Sequence, residues 1–394
     1  MTSQKRLSAR MSHIAPFEAM EIYGRARELE LAGHDVIHLE VGEPDFGTPP
    51  TVLAAAKRAL EGTAMGYTSA LGMMPLREAI ANFYQSHYGV TIARERIIVT
   101  AGSSAALLLT FDALLNRGDE VLMTDPGYPC NRHFVRAVDG VPVAIAVDGS
   151  TNFQPTAADV VSHWRPQTAA VLIGSPANPT GTIIDPTVLK DIHREVSARG
   201  GTLIVDEIYQ GLTYGVEPTT ALATLEHSDN VFIINSCSKY FLMSGWRLGW
   251  MVVPAAYVRD IEKLAQNLFI SPSAPAQHAA LGAFTPDTIA ILEARRAELH
   301  KRRDFLVPAL ASIGFQSPVT PQGAFYVYAD TSGIARDSFV LSKRILETAH
   351  VGMTGGKDFG VNHPEKYMRI AYTQPIARLT EAVERIHRMT RSGS

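Results

Sequence analysis

The side chains most suggestive of chemistry lie together in one segment past the middle of the chain. Lys239 follows residues 231–234, an apolar run with the composition of a buried strand, and it stands close to Ser236, Ser238 and Arg247. Lysine is seldom buried without a task, and an amine held away from water can form a Schiff base with a carbonyl group. Hydroxyl groups together with an arginine are suited to holding a phosphate. A Schiff-base lysine beside a phosphate clamp predicts a site for the cofactor pyridoxal phosphate.

Such a site needs an acid for the ring nitrogen of the cofactor, and the sequence offers one at Asp206. This residue ends the apolar run 202–205, so its carboxylate is expected at the rim of a sheet, where it needs a positive partner. A protonated pyridine nitrogen is such a partner, and protonation makes the ring a better electron acceptor. Tyr209 comes just beyond and can donate to the ring oxygen. The alternative is an aspartate that caps a helix and a tyrosine packed in the core, both of which are common.

Two further predicted strand ends carry polar or aromatic side chains. Residues 175–181 read Ser-Pro-Ala-Asn-Pro-Thr-Gly, in which the prolines and Gly181 restrict the backbone and present Asn178 as a hydrogen-bond donor. Tyr128 lies in the turn Asp-Pro-Gly-Tyr-Pro after residues 120–124 and can stack on a flat ring. The alternative for Tyr128 is a tyrosine packed in an ordinary turn.

Two other positions are suited to anions. The small residues 101–104, Ala-Gly-Ser-Ser, lie between a strand and a helix, where backbone N–H groups and the helix dipole favour a phosphate. A simple strand–helix turn explains this pattern equally well. Arg369 lies inside the apolar run 367–371, where it needs an anion, and its planar guanidinium group suits a carboxylate. An internal salt bridge or an edge position is the alternative for this arginine.

Alternating strands and helices are predicted to carry these residues. Largely apolar runs, typical of a sheet buried on both faces, occur at residues 97–100, 120–124, 141–147, 169–173, 202–205 and 231–235. Helical patterns separate many of them, as at residues 105–115 and 186–198. The alternation predicts an α/β domain with a mostly parallel sheet sandwiched by helices, in which ligands bind at the carboxyl ends of the strands. Residues 248–253 are predicted to form a further strand, which can run antiparallel to the others.

The two ends of the chain have a different character. Before the alternation begins, the sequence predicts helices at residues 17–31, 51–61 and 76–87 and a short strand at 36–39. After residue 255 it predicts helices at 257–268, 286–310, 338–348 and 375–389, and strands at 323–328 and 367–372. We therefore expect residues 1–45 to form an N-terminal arm and part of a small domain, residues 46–285 a large cofactor-binding domain, and residues 286–394 a small α+β domain.

Composition and charge exclude several classes of protein. The chain has 394 residues, of which 46% are hydrophobic and 19% charged, as in an ordinary globular protein. A formal net charge of −3 favours neither nucleic acid nor an anionic membrane as a partner, and no apolar run approaches the ~20 residues that span a bilayer. Two cysteines are too few for a disulfide framework and have no metal-ligand spacing, so we expect a cytoplasmic protein without a metal. Residues 1–16 are basic and free of acids, as in a loose arm, with a transit peptide as the alternative.

Several of these motifs occur together in a known family. The chain resembles the fold-type I pyridoxal-phosphate-dependent aminotransferases of class I/II, the group that includes the aspartate aminotransferases. The resemblance covers nearly the whole chain and rests on Gly-Glu-Pro-Asp-Phe at 42–46, Asn-Pro-Thr-Gly at 178–181, Asp-Glu-Ile-Tyr at 206–209, the segment 236–247 and Tyr-Met-Arg at 367–369. It implies a ping-pong transamination, in which an L-amino acid gives up its amino group and a 2-oxo acid takes it up.

The resemblance also implies a role for each matching residue. Lys239, Asp206 and Tyr209 are expected to be catalytic. Cofactor contacts are expected from Lys239, Ser103, Ser104, Tyr128, Asn178, Asp206, Tyr209, Ser236, Ser238, Arg247 and Tyr67, and substrate contacts from Gly42, Asn178 and Arg369. Tyr67 is expected to reach the cofactor of a neighbouring subunit, which implies a homodimer with shared active sites. Ser103 stands where some relatives that prefer dicarboxylates have a lysine, which argues against strict specificity for aspartate.

Three other functions compete with a transaminase. A C–S lyase, or another β-eliminating enzyme of the same fold, shares the lysine, the aspartate, the tyrosine and both arginines, so the motifs discriminate poorly between the two. A regulatory protein with a repurposed aminotransferase domain would usually have an added DNA-binding domain and would not need Lys239. A nucleotide-dependent dehydrogenase is excluded because no Gly-x-Gly-x-x-Gly turn follows a predicted strand.

Overall fold

The computed structural model describes residues 6–62, 65–225 and 229–392, so the first five residues of the predicted arm and the last two residues of the chain lie outside it. The strands are β1 (Ile37–His38), β2 (Ile97–Thr100), β3 (Glu120–Asp125), β4 (Val141–Ala146), β5 (Thr168–Gly174), β6 (Thr202–Asp206), β7 (Val231–Ser236), β8 (Gly249–Val252), β9 (Tyr326–Asp330), β10 (Val351–Gly352), β11 (Thr354–Gly355) and β12 (Tyr367–Ala371). The helices are α1 (Glu18–Leu31), α2 (Pro50–Gly62), α3 (Met74–Tyr88), α4 (Gly102–Leu114), α5 (Pro129–Ala137), α6 (Ala157–His163), α7 (Pro186–Ala198), α8 (Ala221–Thr224), α9 (Val258–Leu268), α10 (Ala274–Leu281), α11 (Pro286–Ser312), α12 (Ser338–Ala349) and α13 (Ile376–Ser392). No α-helix in the described ranges has the length and the apolar run needed to traverse a lipid bilayer.

The largest sheet is the mostly parallel one that the sequence predicts. Seven of these strands form it, in the order β2-β8-β7-β6-β5-β3-β4. The pairs from β4 across to β7 are all parallel, whereas β8 runs antiparallel to both β7 and β2. The carboxyl ends of β2, β5, β6 and β7 therefore point to one edge of the sheet, which is where the predicted site residues follow.

Apolar side chains cover both faces of this sheet. In β7, Val231 and Ile233 pack into one apolar cluster, and Phe232 and Ile234 pack into a second cluster. Because neighbouring side chains of a strand point to opposite faces, the two clusters lie on the two sides of the sheet. Helices α4 and α9 contribute to the second cluster, and α7 and α11 contribute to the first. The predicted α/β architecture, with helices on both sides of the sheet, is thus confirmed.

The two ends of the chain meet in smaller sheets. Strands β11, β12 and β9 form a three-stranded antiparallel sheet, and β1 pairs in parallel with β10, with Ile37 opposite Val351. The segment around residue 37 therefore joins elements from the far end of the chain, as expected of a small domain built from both ends. The division of the chain at residues 45 and 285 stays a prediction.

Some helices lie in segments where no long apolar periodicity predicts them. These are α5, α6, α8 and α10, each of nine residues or fewer. Pro129 begins α5, and Thr156 caps α6 through a reciprocal pair of hydrogen bonds with Asp159. Local capping signals, which are independent of an apolar stripe, are therefore enough to start them.

Two boundaries that matter for the site also differ from the prediction. Helix α4 begins at Gly102 rather than at residue 105, so Ser103 and Ser104 lie in its first turn. Strand β9 covers Tyr326–Asp330 rather than residues 323–328. The reason is that Ala324 has a positive φ of 57°, which is incompatible with an extended strand.

Candidate active site

One cavity gathers the predicted site residues at the carboxyl ends of the strands. It has a volume of about 220 Å³ and is bounded by the ends of β6 and β7, the start of α4 and strand β12. Its walls include Gly42, Ser103, Ser104, Tyr128, Asn178, Asp206, Tyr209, Ser236, Ser238, Lys239, Arg247 and Arg369. Of the predicted site residues, Tyr67 alone is not among the described residues that line the cavity. Its surface is 85% exposed.

Lys239 reaches the cavity from the turn that follows β7. The strand ends at Ser236, whose Oγ accepts a hydrogen bond of 3.0 Å from the N–H of Ser238, and this contact tightens the turn. Among the described residues, the Nζ of Lys239 has one hydrogen bond, which it donates to the backbone oxygen of Gly42 at 2.9 Å. The amine also lies 5.8 Å from the ring centre of Tyr209. No carboxylate of the described residues therefore neutralises this amine, and it points into the cavity beside an aromatic ring.

Asp206 closes the bottom of the cavity as the last residue of β6. It is 6% exposed, and within the described ranges its carboxylate accepts one hydrogen bond, from the N–H of Ile208 at 3.3 Å. Burial raises the pKa of Asp206 to about 7. A carboxylate taken out of water without a cation has a strong preference for a positively charged ligand.

A pair of phenols lies next to this acid. The Oη atoms of Tyr209 and Tyr326 are 3.0 Å apart. Burial, followed by the proximity of Tyr326, raises the pKa of Tyr209 well above its usual value, so the phenol keeps its proton and can donate it in a hydrogen bond. Gly42 packs against this pair, because a Cβ atom at this position would lie 1.7 Å from the Oη of Tyr326. The absence of a side chain at Gly42 thus lets its carbonyl reach Lys239.

The start of α4 and Arg247 form a positively polarised end of the cavity. Ser103 and Ser104 occupy the first turn of α4, where backbone N–H groups have no acceptor within the helix. Gly102 makes room for Arg247, since a Cβ atom there would lie 2.8 Å from Nη2 of the guanidinium group. Arg247 donates to the backbone oxygen of Ser244 at 3.0 Å and pairs with no carboxylate in the described residues. Helix N–H groups and a free guanidinium group together favour a phosphate.

Arg369 approaches the cavity from β12 on the opposite side. Its Nη1 donates to the side-chain oxygen of Asn178 at 3.0 Å, and its Nη2 donates to the backbone oxygen of Glu40 at 2.6 Å. The guanidinium carbon lies over the rings of Tyr326 and Phe359, at 4.3 and 4.9 Å from their centres. The residue is 2% exposed, and its Nε is buried without a hydrogen-bond partner. A buried guanidinium group that lacks an ionic partner among the described residues is suited to an incoming carboxylate.

Residues that the sequence does not single out form another wall of the cavity. Phe17, Ala19 and Met20, at the start of α1, line it. The edge of the Phe17 ring meets the ring of Tyr128, with centroids 6.2 Å apart and planes at 83°. Asp358 is 1% exposed and accepts hydrogen bonds from the first N–H groups of α1. These side chains follow no strand of the central sheet, so the strand-end rule that finds the others does not reach them.

The comparison with known families accounts for this combination of fold and cavity. The family described as aminotransferase class I and II matches residues 34–386. The chain belongs to the class I and II aminotransferases. The predicted family is confirmed, and so is the predicted transaminase activity.

Individual relatives of this aminotransferase are similar along almost their whole length. The valine–pyruvate aminotransferase of Mycobacterium tuberculosis is 38% identical over 95% of this chain and 96% of its own. The aspartate aminotransferase of Geobacillus stearothermophilus is 34% identical over 97% and 98%. Among solved structures, an aminotransferase from Mycobacterium tuberculosis has a TM-score of 0.94 with 37% identity, over 99% of this chain and 100% of that one. The aspartate aminotransferase of Thermus thermophilus with maleate has a TM-score of 0.91 with 33% identity, over 98% and 100%.

Aminotransferases of this class use pyridoxal phosphate, and the residues of the cavity fit that cofactor. Asp206 is a buried acid in need of a cation, and the ring nitrogen of the cofactor can be protonated. Gly102 leaves space beside Arg247 and the first turn of α4, which suits the phosphate. Lys239 has an amine free of ionic partners in the described ranges, which suits the aldehyde. The comparisons thus support a transaminase rather than the lyase alternative.

Proposed function

We propose that Lys239, Asp206 and Tyr209 are the catalytic residues with which this aminotransferase moves an amino group from an L-amino acid to a 2-oxo acid by a ping-pong mechanism. The observation that carries this proposal is the convergence of Lys239, Asp206 and Arg369 on one cavity, each without an ionic partner among the described residues. An amine, a buried acid and a buried guanidinium group complement a carbonyl, a ring cation and a carboxylate, which are the groups of the cofactor and the substrate.

The cofactor-binding residues follow from their positions around the cavity. When bound, pyridoxal phosphate supplies a carbonyl carbon for the substrate's amino group and a ring that takes up electrons from the Cα–H bond. We assign the phosphate to Ser103, Ser104, Ser236, Ser238 and Arg247, the ring nitrogen to Asp206, the ring oxygen to Asn178 and Tyr209, the ring face to Tyr128, and the aldehyde to Lys239. All of these residues line the same cavity.

Asp206 has the task of keeping the ring nitrogen protonated. Its pKa of about 7 results from burial, and a cation beside the carboxylate favours the ionised form. The same interaction stabilises the proton on the nitrogen, by about 1.4 kcal/mol for each unit by which the pKa changes. The main-chain bond from Ile208 holds the carboxylate in place at the end of β6.

Lys239 first holds the cofactor and then, when the substrate has taken its place, carries the proton removed from Cα. The hydrogen bond of 2.9 Å to the Gly42 oxygen keeps the amine in the cavity rather than in solvent. A positioned base of this kind contributes about 10²- to 10⁴-fold to the rate of proton transfer. Tyr209 supports the reaction as a donor to the ring oxygen, with its phenol held by Tyr326.

Arg369 orients the substrate through the α-carboxylate. Its unpartnered Nε and its bonds to Asn178 and to the Glu40 oxygen leave the guanidinium group fixed in direction and available to an anion. Asn178 and the backbone near Gly42 assist it. Two parallel hydrogen bonds from an arginine fix the plane of a carboxylate, which sets the direction of the Cα–H bond relative to Lys239.

Tyr67 supports a homodimer with shared active sites. Tyr67 is 85% exposed, and Leu268 and Ile270 are 51% and 54% exposed. The N–H of Thr68 donates to the Oγ of Ser271 at 3.4 Å, so the backbone next to Tyr67 is joined to the segment that follows Ile270. Exposed apolar side chains on joined segments suit a contact surface. Light scattering at several concentrations tests the proposal, and a monomeric mass at full activity would contradict it.

We also propose a cytoplasmic location. The thiols of Cys130 and Cys237 are both free, and Cys237 is buried with a pKa raised by desolvation to about 12, as suits an unreactive thiol in a reducing compartment. Fractionation of cells that produce the full chain checks this location.

The names of the relatives leave the substrate open. One relative is named for valine and pyruvate and another for aspartate, at 38% and 34% identity. The assignment of the amino donor therefore has to come from the chain's own cavity and from experiment.

A single-turnover experiment without an acceptor tests the proposed function. The holoenzyme is mixed with one L-amino acid at a time while the absorption of the bound cofactor and the released acids are measured. We expect a single change in absorption with one 2-oxo acid released per site, reversed by a second 2-oxo acid. Continuous release of pyruvate and ammonia would identify a C–S lyase instead. A protein that takes up no cofactor at all, even after pyridoxal phosphate is added, would contradict the role of Lys239.

A further inference from the structure

Arg369 is held within the protein by the backbone of Glu40, a residue whose own carboxylate is buried. The Nη2 of Arg369 donates to the backbone oxygen of Glu40 at 2.6 Å, and the Oγ1 of Thr354 donates to the same oxygen at 3.3 Å. Glu40 is 0% exposed, and its Oε2 is buried without a hydrogen-bond partner among the described residues. Because a buried carboxylate is costly unless a cation accompanies it, the group that supplies this cation affects the surroundings of Arg369.

His38 supplies that cation. Its Nδ1 lies 2.6 Å from Oε1 of Glu40, and its Nε2 lies 3.1 Å from Oε1 of Glu30 in α1. A neutral imidazole ring has one N–H group, whereas the charged ring has two. A ring with a carboxylate oxygen at each nitrogen is therefore stabilised in its charged form. The hydrogen bond to Glu40 raises the pKa of His38 above its ordinary value of 6.5, although burial opposes this change.

The two carboxylates depend on His38 to different degrees. The side chain of Glu30 is 28% exposed and also pairs with Arg27. Within the described part of the chain, His38 is the only cationic group in ion-pair contact with Glu40. Gly352, which lies opposite His38 where β1 pairs with β10, makes room for the buried carboxylate, since a Cβ atom there would lie 2.1 Å from Oε2 of Glu40. Loss of the proton from His38 therefore leaves Glu40, and not Glu30, as a buried anion without a counter-charge.

The other groups around His38 do not take over this task. Tyr23 of α1 faces the imidazole, with ring centres 5.6 Å apart, and β10 places no titratable side chain opposite His38 in the described ranges. Charged and titratable residues close to this segment contact one another instead: His34 with His350, Arg25 with Glu347, and Arg378 and Arg385 with Asp35. The charge on His38 is thus governed by Glu30 and Glu40.

We propose that His38 is a positioning residue for the substrate: its charged ring holds the Glu40 carboxylate away from Arg369, so that Arg369 stays available to the α-carboxylate. The inference rests on the proposed function. When His38 is neutral, an uncompensated carboxylate belongs to the very residue that Arg369 contacts, and the guanidinium group still has an unpartnered Nε. An anion of the protein then competes with the anion of the substrate. Because His38 carries its charge at low pH, binding of the α-carboxylate should weaken as the pH rises through its raised pKa, above 6.5.

The first experiment measures how isovalerate, an unreactive acid with one carboxylate, binds to the holoenzyme between about pH 6 and about pH 9 by calorimetry. The wild type is expected to bind it about tenfold more tightly than His38→Gln at the low end of this range and equally at the high end, as for two coupled sites. An equal pH dependence in both proteins would overturn the inference and leave the proposed function intact. No binding by the wild type at any pH would contradict the carboxylate site at Arg369, and the inference with it.

The second experiment separates the charge of Glu40 from a general structural effect. Addition of Glu40→Gln to His38→Gln should restore most of the affinity lost at low pH, because two amides keep a hydrogen bond but leave no buried anion to compete. His300→Gln is the matched control, since His300 also faces a carboxylate, that of Asp304 at 3.4 Å, but does not line the cavity. It should keep the affinity and the pH dependence of the wild type. A double variant as weak as His38→Gln, or an equal loss in His300→Gln, would overturn the inference.

The third experiment uses the reciprocity between binding and protonation. If the charge on His38 favours binding of the acid, the bound acid must raise the pKa of His38 by the same coupling. Binding of isovalerate near that pKa should therefore take up protons. Calorimetry in two buffers with different heats of ionisation measures this uptake, which should be greater in the wild type than in His38→Gln. Equal uptake by the two proteins would show that another group is responsible and would overturn the inference.

Discussion

Asp206 and Glu207 are consecutive acids at the end of β6, and both are buried, but they differ in the number of hydrogen bonds that their carboxylates accept. Asp206 lines the active-site cavity and accepts one hydrogen bond among the described residues. Glu207 turns toward the start of α8, where the Thr220 hydroxyl lies 3.0 and 2.8 Å from its two oxygens and the Ala221 N–H donates at 2.6 Å. Burial raises the pKa of both carboxyls to about 7. Burial and a raised pKa alone therefore do not identify the catalytic acid.

Two buried arginines differ in the same way. Arg77 of α3 is 5% exposed and donates to the backbone oxygens of Arg94, Glu95 and Ile97, at 2.8 to 3.1 Å. Arg369 is 2% exposed but keeps a buried Nε without a partner. Neither arginine pairs with a carboxylate in the described part of the chain. The difference lies in how many donors are satisfied within the protein.

The number of hydrogen bonds made within the protein separates buried charged groups that stabilise the fold from buried charged groups that are suited to bind a ligand. A buried polar group that is fully hydrogen-bonded stabilises its surroundings, whereas one left incomplete lowers stability until a ligand completes it. Asp206 and Arg369, the incompletely bonded members of the two pairs, line one cavity, whereas Glu207 holds the start of α8 and Arg77 holds the segment that leads into β2. Substitutions of each kind should therefore affect different measurements.

Removal of Lys239 is expected to have the largest effect. Lys239→Ala should reduce turnover by about 10⁴-fold or more, because the proton carrier is lost along with the covalent hold on the cofactor. The melting temperature of the cofactor-free protein should change little, since one hydrogen bond to the Gly42 oxygen is removed. Steady-state kinetics and thermal unfolding measure the two effects. Ordinary turnover by this variant would contradict the assignment of Lys239.

The two acids at the end of β6 provide the next test. Asp206→Asn should slow removal of the Cα proton by about 10²- to 10³-fold, since the ring nitrogen loses its charged partner. Glu207→Gln should keep the rate within a small factor but lower stability by about 1–3 kcal/mol, because the NH2 group that replaces one carboxylate oxygen can no longer accept a hydrogen bond from Thr220. Stopped-flow absorption and denaturant unfolding measure the two quantities. Equal effects of the two variants on rate would remove the distinction between the acids.

The two arginines provide a smaller contrast. Arg369→Lys should raise KM for amino acids about 10- to 100-fold, because the ammonium group keeps the charge but loses the paired hydrogen bonds to the α-carboxylate. Arg77→Lys should leave KM unchanged and lower the melting temperature, since three carbonyl oxygens lose their donors. Should Arg77→Lys raise KM as strongly as Arg369→Lys, the cavity would not be the carboxylate site.

The sequence is enough to predict the central sheet and most of the cavity lining. Apolar runs identify the strands, and Asp206, Asn178 and Lys239 stand directly after three of them. Because the ends of parallel strands meet at one edge, local order along the chain determines which of these residues converge in space. This rule accounts for the predicted residues that follow strands of the central sheet, whereas Gly42 and Arg369 lie outside that sheet and their roles are expected from the family resemblance.

The remaining features depend on contacts between distant parts of the chain. Asp358 and Glu18 are separated by 340 positions, and no local pattern links a loop acid to a remote helix start. The close approach of Gly42 to Tyr326 is likewise invisible before folding. Tyr67 remains a prediction, since its role needs a second subunit. The features that the sequence does not predict are thus those that depend on contacts between residues far apart in the sequence.

The last effect concerns stability and pH in the absence of cofactor. The pKa values of Asp206 and Glu207 are about 7 in the folded chain, above their ordinary values of 3.8 and 4.5. The folded chain therefore binds these protons more tightly than the unfolded chain does. The stability that this binding contributes is fully present below the ordinary values and is lost as the pH rises through about 7. The melting temperature of the cofactor-free protein should fall between about pH 5 and about pH 8.

Added pyridoxal phosphate should show how much of this loss of stability comes from Asp206 and how much comes from Glu207. A ring cation beside Asp206 stabilises the ionised carboxylate, so the cofactor should reduce the fall in the wild type. In Asp206→Asn the melting temperature should fall less with rising pH even without cofactor. The cofactor should then raise the melting temperature by a similar amount at every pH. In Glu207→Gln the part of the fall in melting temperature that Asp206 causes remains, and the cofactor should still reduce it. If the cofactor instead changed the pH dependence of Asp206→Asn as much as that of the wild type, the charge at Asp206 would not be the one that the cofactor satisfies.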